Sequence, residues 1–141
     1  MTNRDSNAGP AARSSVGRAD DADVLVAGAS EALAKRSPET AIALLEGAVR
    51  IDPGNGRAYW LLGTARRELG QVPLAIEAYE RAISLDEENE VIPVELVELY
   101  AAEGQADRGR ALATWLLSTT ESPALRRRVE AALRALEGAT H

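Results

Sequence analysis

Residues 56–89 read GRAYWLLGTARRELGQVPLAIEAYERAISLDEEN, and this stretch decides the fold. Apolar residues recur at helical spacing on both sides of Gly70, a residue type that commonly ends helices because it adopts a left-handed backbone without penalty. Pro73 suits the first turn of a second helix, where its missing N–H has no partner to lose. The stretch therefore predicts helix A over about Gly56 to Leu69 and helix B ending at about Leu85.

The same pattern recurs along the chain with a period of 34 residues. Displacement by this period aligns several pairs of like residues: Ala41 with Ala75, Ile42 with Ile76, Glu46 with Glu80, Ala48 with Ala82, and Asp52 with Asp86. Gly104 follows Gly70 at the same interval, which indicates a third, more degenerate unit. In the first unit Ser37 is the predicted N-cap of helix B, just before Pro38. In the third, Pro93 falls in the first turn of a helix A that begins near Val91.

A helix–turn–helix unit of this length resembles the tetratricopeptide repeat (TPR) family. The second unit carries the residues that make the resemblance: Tyr59, Leu62, Gly63, Gly70, Ala75, Tyr79 and Ala82. The small residues Gly63 and Ala75 let helices A and B approach closely. The resemblance implies an all-α fold, a right-handed α-solenoid of about three TPR units plus a C-terminal capping helix.

The predicted boundaries follow from the repeat. Residues 1–21 hold few bulky apolar side chains and are predicted to be a disordered tail. The array covers residues 22–121, in units of about 22–55, 56–89 and 90–121. Residues 122–141 are predicted to form a capping helix, opened by Ser122 and Pro123, and a short C-terminal tail.

Composition argues against several kinds of function. The chain has no cysteine, and His141 is its one histidine, so triads and the usual transition-metal sites have no residues to build them. The acidic group Asp86, Glu87, Glu88 and Glu90 lacks the central glycine of a calcium loop and is read as a solvated turn. We therefore expect no catalysis and no cofactor.

The net charge of −6 argues against nucleic acid as a partner. No apolar run is long enough for membrane insertion, and the N-terminus lacks the apolar core of a signal peptide. The cytoplasm is the expected compartment. The arginine run Arg126 to Arg128 is read as a solvated face of the capping helix, with phosphate or acidic lipid as the alternative ligand.

The TPR resemblance implies that helices A line a concave groove that holds a partner's peptide segment. The positions carried over to this groove are Val26, Ser30, Arg57, Trp60, Leu61, Thr64, Arg67, Val94, Glu95 and Glu98. A basic clamp for a C-terminal carboxylate, typical of chaperone-binding members, is absent from the matching positions. Trp60 has two open interpretations, exposure in the groove or packing between helices A, whereas Trp115 is expected to pack in the core or against the cap.

The predicted function is a protein–protein interaction module, an adaptor, scaffold or accessory subunit that binds another protein or a peptide segment. The alternative is a structural protein that self-assembles through its solenoid ends, because Leu25, Leu33 and their neighbours have no preceding unit to pack against. The expected state is a monomer or a weak homo-oligomer.

Overall fold

The computed structural model describes residues 20–139, and over this range the chain forms seven helices and no strand. The first helix, α1, spans residues 20–34. The others, in chain order, are α2 (Pro38–Ile51), α3 (Gly56–Glu68), α4 (Val72–Leu85), α5 (Val91–Ala102), α6 (Ala106–Thr119) and α7 (Pro123–Ala139). The all-helical fold class is therefore confirmed, and the predicted helix limits in the second unit agree with α3 and α4 to within a residue or two.

The first helix begins before the predicted end of the tail. Asp20 and Asp21, which the composition assigns to the tail, are already helical. The predicted disorder of the rest of the tail, and His141, fall outside the described residues.

The turn between helices A and B is the same in all three units. Gly70 has φ of 75° and Gly104 has φ of 71°, and Arg36, one period before Gly70, has φ of 62°. In the second unit the N–H of Gly70 donates to the carbonyl of Arg67 at 3.0 Å, and that of Gln71 donates to Arg66 at 2.8 Å. This pair of bonds is a Schellman motif, which satisfies carbonyls left open at the end of a helix.

The helix starts follow two patterns. Asn55 caps α3 by accepting a hydrogen bond from the N–H of Ala58 at 3.0 Å, and Asn89 accepts from Val91 and Ile92 at the start of α5. Ser37 is the N-cap residue of α2, as predicted, but its side chain makes no capping hydrogen bond, and its hydroxyl donates to Thr40 Oγ1 at 2.8 Å.

The core is a series of three clusters, each shared by neighbouring helices. The first joins α1, α2 and α3 with Ala78 of α4, the second joins α4 and α5, and the third joins α5, α6 and α7. From α2 onward each helix packs on the next along the chain, and α7 packs on both α5 and α6. This arrangement is an α-solenoid, with α1, α3 and α5 as helices A and α7 as the capping helix.

Close packing explains the glycine at position 63. A Cβ built on Gly63 would lie 2.9 Å from Cδ1 of Tyr79, which is 1% exposed. The ring of Tyr79 on α4 therefore occupies the volume that a side chain on α3 would need. This is the close helix approach that the sequence predicts at this position.

Candidate functional site

The surface of α3 carries a row of accessible side chains at helical spacing. Arg57 is exposed, and Trp60, Leu61, Thr64 and Arg67 are partly exposed. Residues three, four and seven apart lie on one side of a helix. The predicted groove residues of the second unit are thus available together on one face.

The start of this row is tied to the first unit by Asn55. The same side chain that caps α3 donates from Nδ2 to Asp23 Oδ1 on α1 at 3.3 Å. A single amide therefore fixes both the beginning of α3 and its position beside α1.

Trp60 bridges two of the helices A. Its indole Nε1–H donates to Glu95 Oε2 on α5 at 2.8 Å, and its ring packs against the second core cluster. The packing interpretation is therefore observed, because the ring lies against residues of α4 and α5. Because the side chain remains partly exposed, one edge of it is still available to a ligand.

Thr64 and Tyr79 form the next layer below Trp60. Thr64 Oγ1 donates to the carbonyl of Trp60 at 3.2 Å and lies 3.4 Å from Tyr79 Oη. Burial raises the pKa of the Tyr79 phenol above its usual value, since the charged form is poorly solvated there. Tyr79 is therefore a neutral hydrogen-bonding group at ordinary pH.

Glu98 is held by the capping helix. Arg128 on α7 donates from Nε to Glu98 Oε2 at 3.0 Å and from Nη2 to Oε1 at 2.6 Å. These bonds raise the pKa of the Arg128 guanidinium. The two parallel contacts fix the carboxylate in one plane, which a single contact does not do.

These groups surround a shallow depression of about 420 Å³ between α3, α5 and α7. Its wall combines hydroxyl, carboxylate and guanidinium groups, with two arginines against three acids, from these residues: Thr64, Arg67, Glu68, Tyr79, Glu95, Glu98 and Arg128. Two of the three carboxylates are already oriented by hydrogen bonds from Trp60 and Arg128. The depression thus offers a partner preformed polar contacts.

Two of the predicted groove residues do not lie at the surface. Val26 is 4% exposed and belongs to the cluster shared by α1, α2 and α3. Val94 is 0% exposed because α7 and α6 cover it in the third cluster. Neither side chain can touch a partner in this fold, so the groove positions predicted for Val26 and Val94 are wrong. Ser30 on α1 stays partly exposed, and Leu61 packs partly against the first cluster.

Trp115 and the arginine run differ from the sequence-based expectation. Trp115 on α6 is 54% exposed, so its predicted core or cap role is wrong. Arg126 donates to the carbonyls of Leu117 and Thr120 at the end of α6, and Arg128 binds Glu98 as described. Of the three arginines, only Arg127 has the predicted role of a solvent-exposed residue of α7. The partners of Arg126 and Arg128 lie outside α7, so sequence spacing within this helix gave no sign of them.

Within residues 20–139, no group of three or more acidic or histidine side chains is placed to hold a metal ion. None of the helices in this range is long and apolar enough to cross a membrane.

Alternating helices with the same backbone turn every 34 residues define a helical-repeat protein. The family model described as tetratricopeptide repeat matches residues 26–90, so this part of the chain carries the tetratricopeptide repeat pattern. The matched range covers most of α1 and all of α2 to α4. The third unit lies outside it but repeats the same helix–turn–helix arrangement.

Solved structures share this fold, while no curated protein sequence matches the chain. The Yersinia enterocolitica type III secretion chaperone SycD, in complex with a peptide of the translocator YopD, is 21% identical. It superposes with a TM-score of 0.76 over 86% of this chain and 96% of SycD. PilF of Pseudomonas aeruginosa is 21% identical with a TM-score of 0.73, over 88% of this chain and 55% of PilF. An O-GlcNAc transferase of Thermobaculum terrenum is 27% identical with a TM-score of 0.67, over 88% of this chain and 23% of the transferase.

Proposed function

We propose that the chain is a protein-interaction module that binds a peptide segment of another protein along α3 and α5, beside α7. The observation that carries the proposal is the preformed row from Arg57 to the depression around Arg67. Supporting it, the similar chaperone SycD has been solved with a peptide of a translocator.

Polar side chains that are already held in place favour binding more than flexible surface side chains do. Glu95 is held by Trp60 and Glu98 by Arg128, so a partner that bonds to these carboxylates does not have to order them first. Ordering a flexible side chain on binding costs roughly 0.5–1.5 kcal/mol, and preorganisation removes that cost. Trp60 supplies the apolar contact beside them, and tryptophan and arginine are the residue types that dominate binding hot spots.

The partner's chemistry follows from the depression. Arg67 and Arg128 bring positive charge, and Glu68, Glu95 and Glu98 bring negative charge, so a segment with both acidic and basic side chains complements it. An apolar anchor beside Trp60 completes the match. A short segment on such a surface is expected to bind with a Kd of about 1 μM, which corresponds to about −8 kcal/mol.

The test uses Trp60 as its own reporter. Trp115→Phe leaves Trp60 as the only tryptophan, because the chain has two. Displayed random 12-residue peptides selected on this protein are expected to change Trp60 fluorescence saturably. Arg67→Glu is expected to weaken that binding at least about tenfold, since it reverses a charge in the depression.

The matched control is Arg50→Glu, the same charge reversal at an exposed arginine on α2, away from both the depression and helices α4 to α6. Circular dichroism of both variants checks that the fold is retained. Binding that survives Arg67→Glu unchanged, or that falls equally with Arg50→Glu, would reject this site for the partner.

A second candidate function, self-assembly through the N-terminal end of the solenoid, has one supporting observation. Val24 on α1 is 70% exposed, whereas the residues one and two periods later, Ala58 and Ile92, are 0% and 1% exposed. In those units the position packs on the preceding unit. Leu25 and Leu33, named from the sequence for this role, are instead partly packed against the first cluster.

Light scattering over a concentration series tests the assembly. If the end self-associates, the mass of the wild type rises with concentration and the mass of Val24→Asp does not. A wild type that stays monomeric over the whole series rejects this candidate and leaves the module acting as single copies.

The other predictions still rest on the sequence. They are the absence of catalysis, of a cofactor and of nucleic-acid partners, and the cytoplasmic compartment.

A further inference from the structure

A second apolar surface lies on the opposite helices of the solenoid, between α4 and α6. Its centre is Trp115, which is 54% exposed. Two cavities of about 440 and 550 Å³ adjoin here, and both are lined by Ile83 of α4 and Trp115 of α6. Together they form a continuous furrow with Trp115 standing between its two halves.

The floor of the furrow is the core itself. Leu96 and Tyr100 of α5 line one cavity, and Leu116 of α6 lines the other. These residues are 3%, 6% and 2% exposed, so they are held rigidly by the packing beneath them. A side chain that enters the furrow therefore meets a firm apolar surface rather than mobile surface groups.

The repeat shows that Trp115 is unusual for its position. One period earlier the equivalent residue is Arg81, whose guanidinium lies over the ring of Tyr59 at 5.8 Å from the centroid. In the third unit the equivalent of Tyr59 is Pro93, and Pro93 and Trp115 line the same cavity. The first two units thus have Gly47 and Arg81 at this position, and only the third has a large aromatic, which the surrounding helices leave uncovered.

The rim of the furrow is acidic. Glu87 and Glu90 line one cavity, and Glu80 lines the other, with Arg108 as the basic residue beside it. All four are exposed. Asp86 and Glu88, in the same turn as Glu87, add further exposed acids. Three rim acids against one base attract a positively charged ligand.

Charge also selects between possible occupants. A second copy of this chain carries a net charge of −6 and would bring like charge toward the acidic rim. Like charges placed together at an interface are unfavourable. A basic segment of a different protein, carrying an apolar side chain for the floor, complements both features.

We propose that the furrow between α4 and α6 binds a basic segment of a second protein, with an apolar side chain packed on Trp115 and lysine or arginine side chains paired with Glu80, Glu87 and Glu90. This surface is separate from the α3 and α5 row. The module then has two docking surfaces, one on helices A and one on helices B.

The experiment measures the fluorescence of Trp115 alone. Trp60→Phe leaves it as the only tryptophan, and displayed random 12-residue peptides are selected on this protein. Of the selected peptides, only those that do not bind the Glu87→Lys/Glu90→Lys variant are carried forward as the retained peptides. We expect the retained peptides to be basic with an apolar centre, to shift Trp115 emission to shorter wavelength, and to protect it from acrylamide.

Affinity measurements then separate this site from the proposed groove. Glu80→Lys, a charge reversal that plays no part in the selection, is expected to weaken peptide binding at least about tenfold, whereas Arg67→Glu is expected to leave it unchanged. Glu80, Glu87 and Glu90 are all exposed, and circular dichroism checks that each variant keeps the fold.

Several results would overturn the proposal. Among them are retained peptides that are neutral or acidic, peptides that bind without moving Trp115 emission, or a selection that retains none. A blue shift that appears on concentrating the protein without peptide would show that a second copy, and not a basic partner, covers the furrow.

Discussion

Arg36 and Gly70 occupy equivalent positions one period apart and share a left-handed backbone, with φ of 62° and 75°. Each ends a helix A with the same two hydrogen bonds, which in the first unit run from Arg36 to Leu33 and from Ser37 to Ala32. Arg36 is the one non-glycine residue with positive φ among residues 20–139. The first unit therefore holds a strained conformation that the second and third units avoid with glycine.

Arg36→Gly is expected to stabilise the protein by about 0.5–1 kcal/mol. A left-handed residue with a Cβ costs roughly 1–2 kcal/mol, and the greater freedom of glycine in the unfolded chain offsets part of the gain. Urea denaturation gives the free energy of unfolding. Gly70→Arg is the matched reverse substitution and is expected to destabilise. A lower denaturation midpoint for Arg36→Gly would contradict the strain argument.

Gly63→Ala is expected to lower the free energy of unfolding by about 1–3 kcal/mol, because the new Cβ meets the rigid ring of Tyr79. At Gly109 the added Cβ would lie 2.7 Å from Leu136 Cδ1 and 3.3 Å from Tyr100 Cβ, and Leu136 is buried. Gly109→Ala is therefore also expected to destabilise the protein, but less than Gly63→Ala, because one leucine methyl group has to shift rather than a tyrosine ring.

Gly138→Ala provides the reference for this pair, since nothing lies within 4 Å of the added Cβ. Thermal denaturation of the three variants ranks them. Equal losses at positions 63 and 109 would show that the ring of Tyr79 can move as easily as a leucine methyl group.

The two tryptophans should respond differently to a soluble quencher. Trp115 is 54% exposed, whereas Trp60 is half-buried and bonded to Glu95. Acrylamide quenching is expected to be stronger in Trp60→Phe, which reports Trp115, than in Trp115→Phe, which reports Trp60. The reverse order would mean that Trp115 is covered in solution.

Stability is expected to fall with rising pH once Tyr79 begins to ionise. Burial raises its pKa above the ordinary value of about 10, so the folded state favours the neutral phenol. Its contribution is complete below the ordinary pKa and is lost as the pH rises through the folded-state pKa.

Tyr79→Phe separates this effect from general alkaline unfolding. At pH 7 the variant is expected to lose no more than about 1 kcal/mol, the value of one hydrogen bond. Above pH 10 its stability is expected to fall less steeply than that of the wild type. Parallel curves from urea denaturation at each pH would count against a buried, neutral Tyr79.

Sequence reasoning predicted the helix order well because the repeat supplies several copies of each signal. Gly70 and Gly104 mark the same turn, and prolines open several helices in the expected place. Arg36 gave no such signal, because an arginine at this position looks like any helical residue.

The site was harder to predict because it depends on which helices cover a given side. Val94 and Glu95 are neighbours in sequence, yet α7 buries the first and leaves the second partly exposed. Trp115 was misplaced for the converse reason, since an aromatic at a helix B position is usually covered and here is not. Helical spacing alone does not specify those neighbours.

The capping helix has a consequence for how such a protein can change in length. α7 closes the last core cluster and anchors itself through Arg126 and Arg128, while Arg127 and Arg134 point into solvent. Upstream of it, each unit offers the next a similar surface. Duplication of a 34-residue unit such as residues 56–89 would then lengthen the row of accessible side chains on helices A, while the same capping helix still covered the last unit. The number of repeat units can in this way change while a single capping helix still covers the last one.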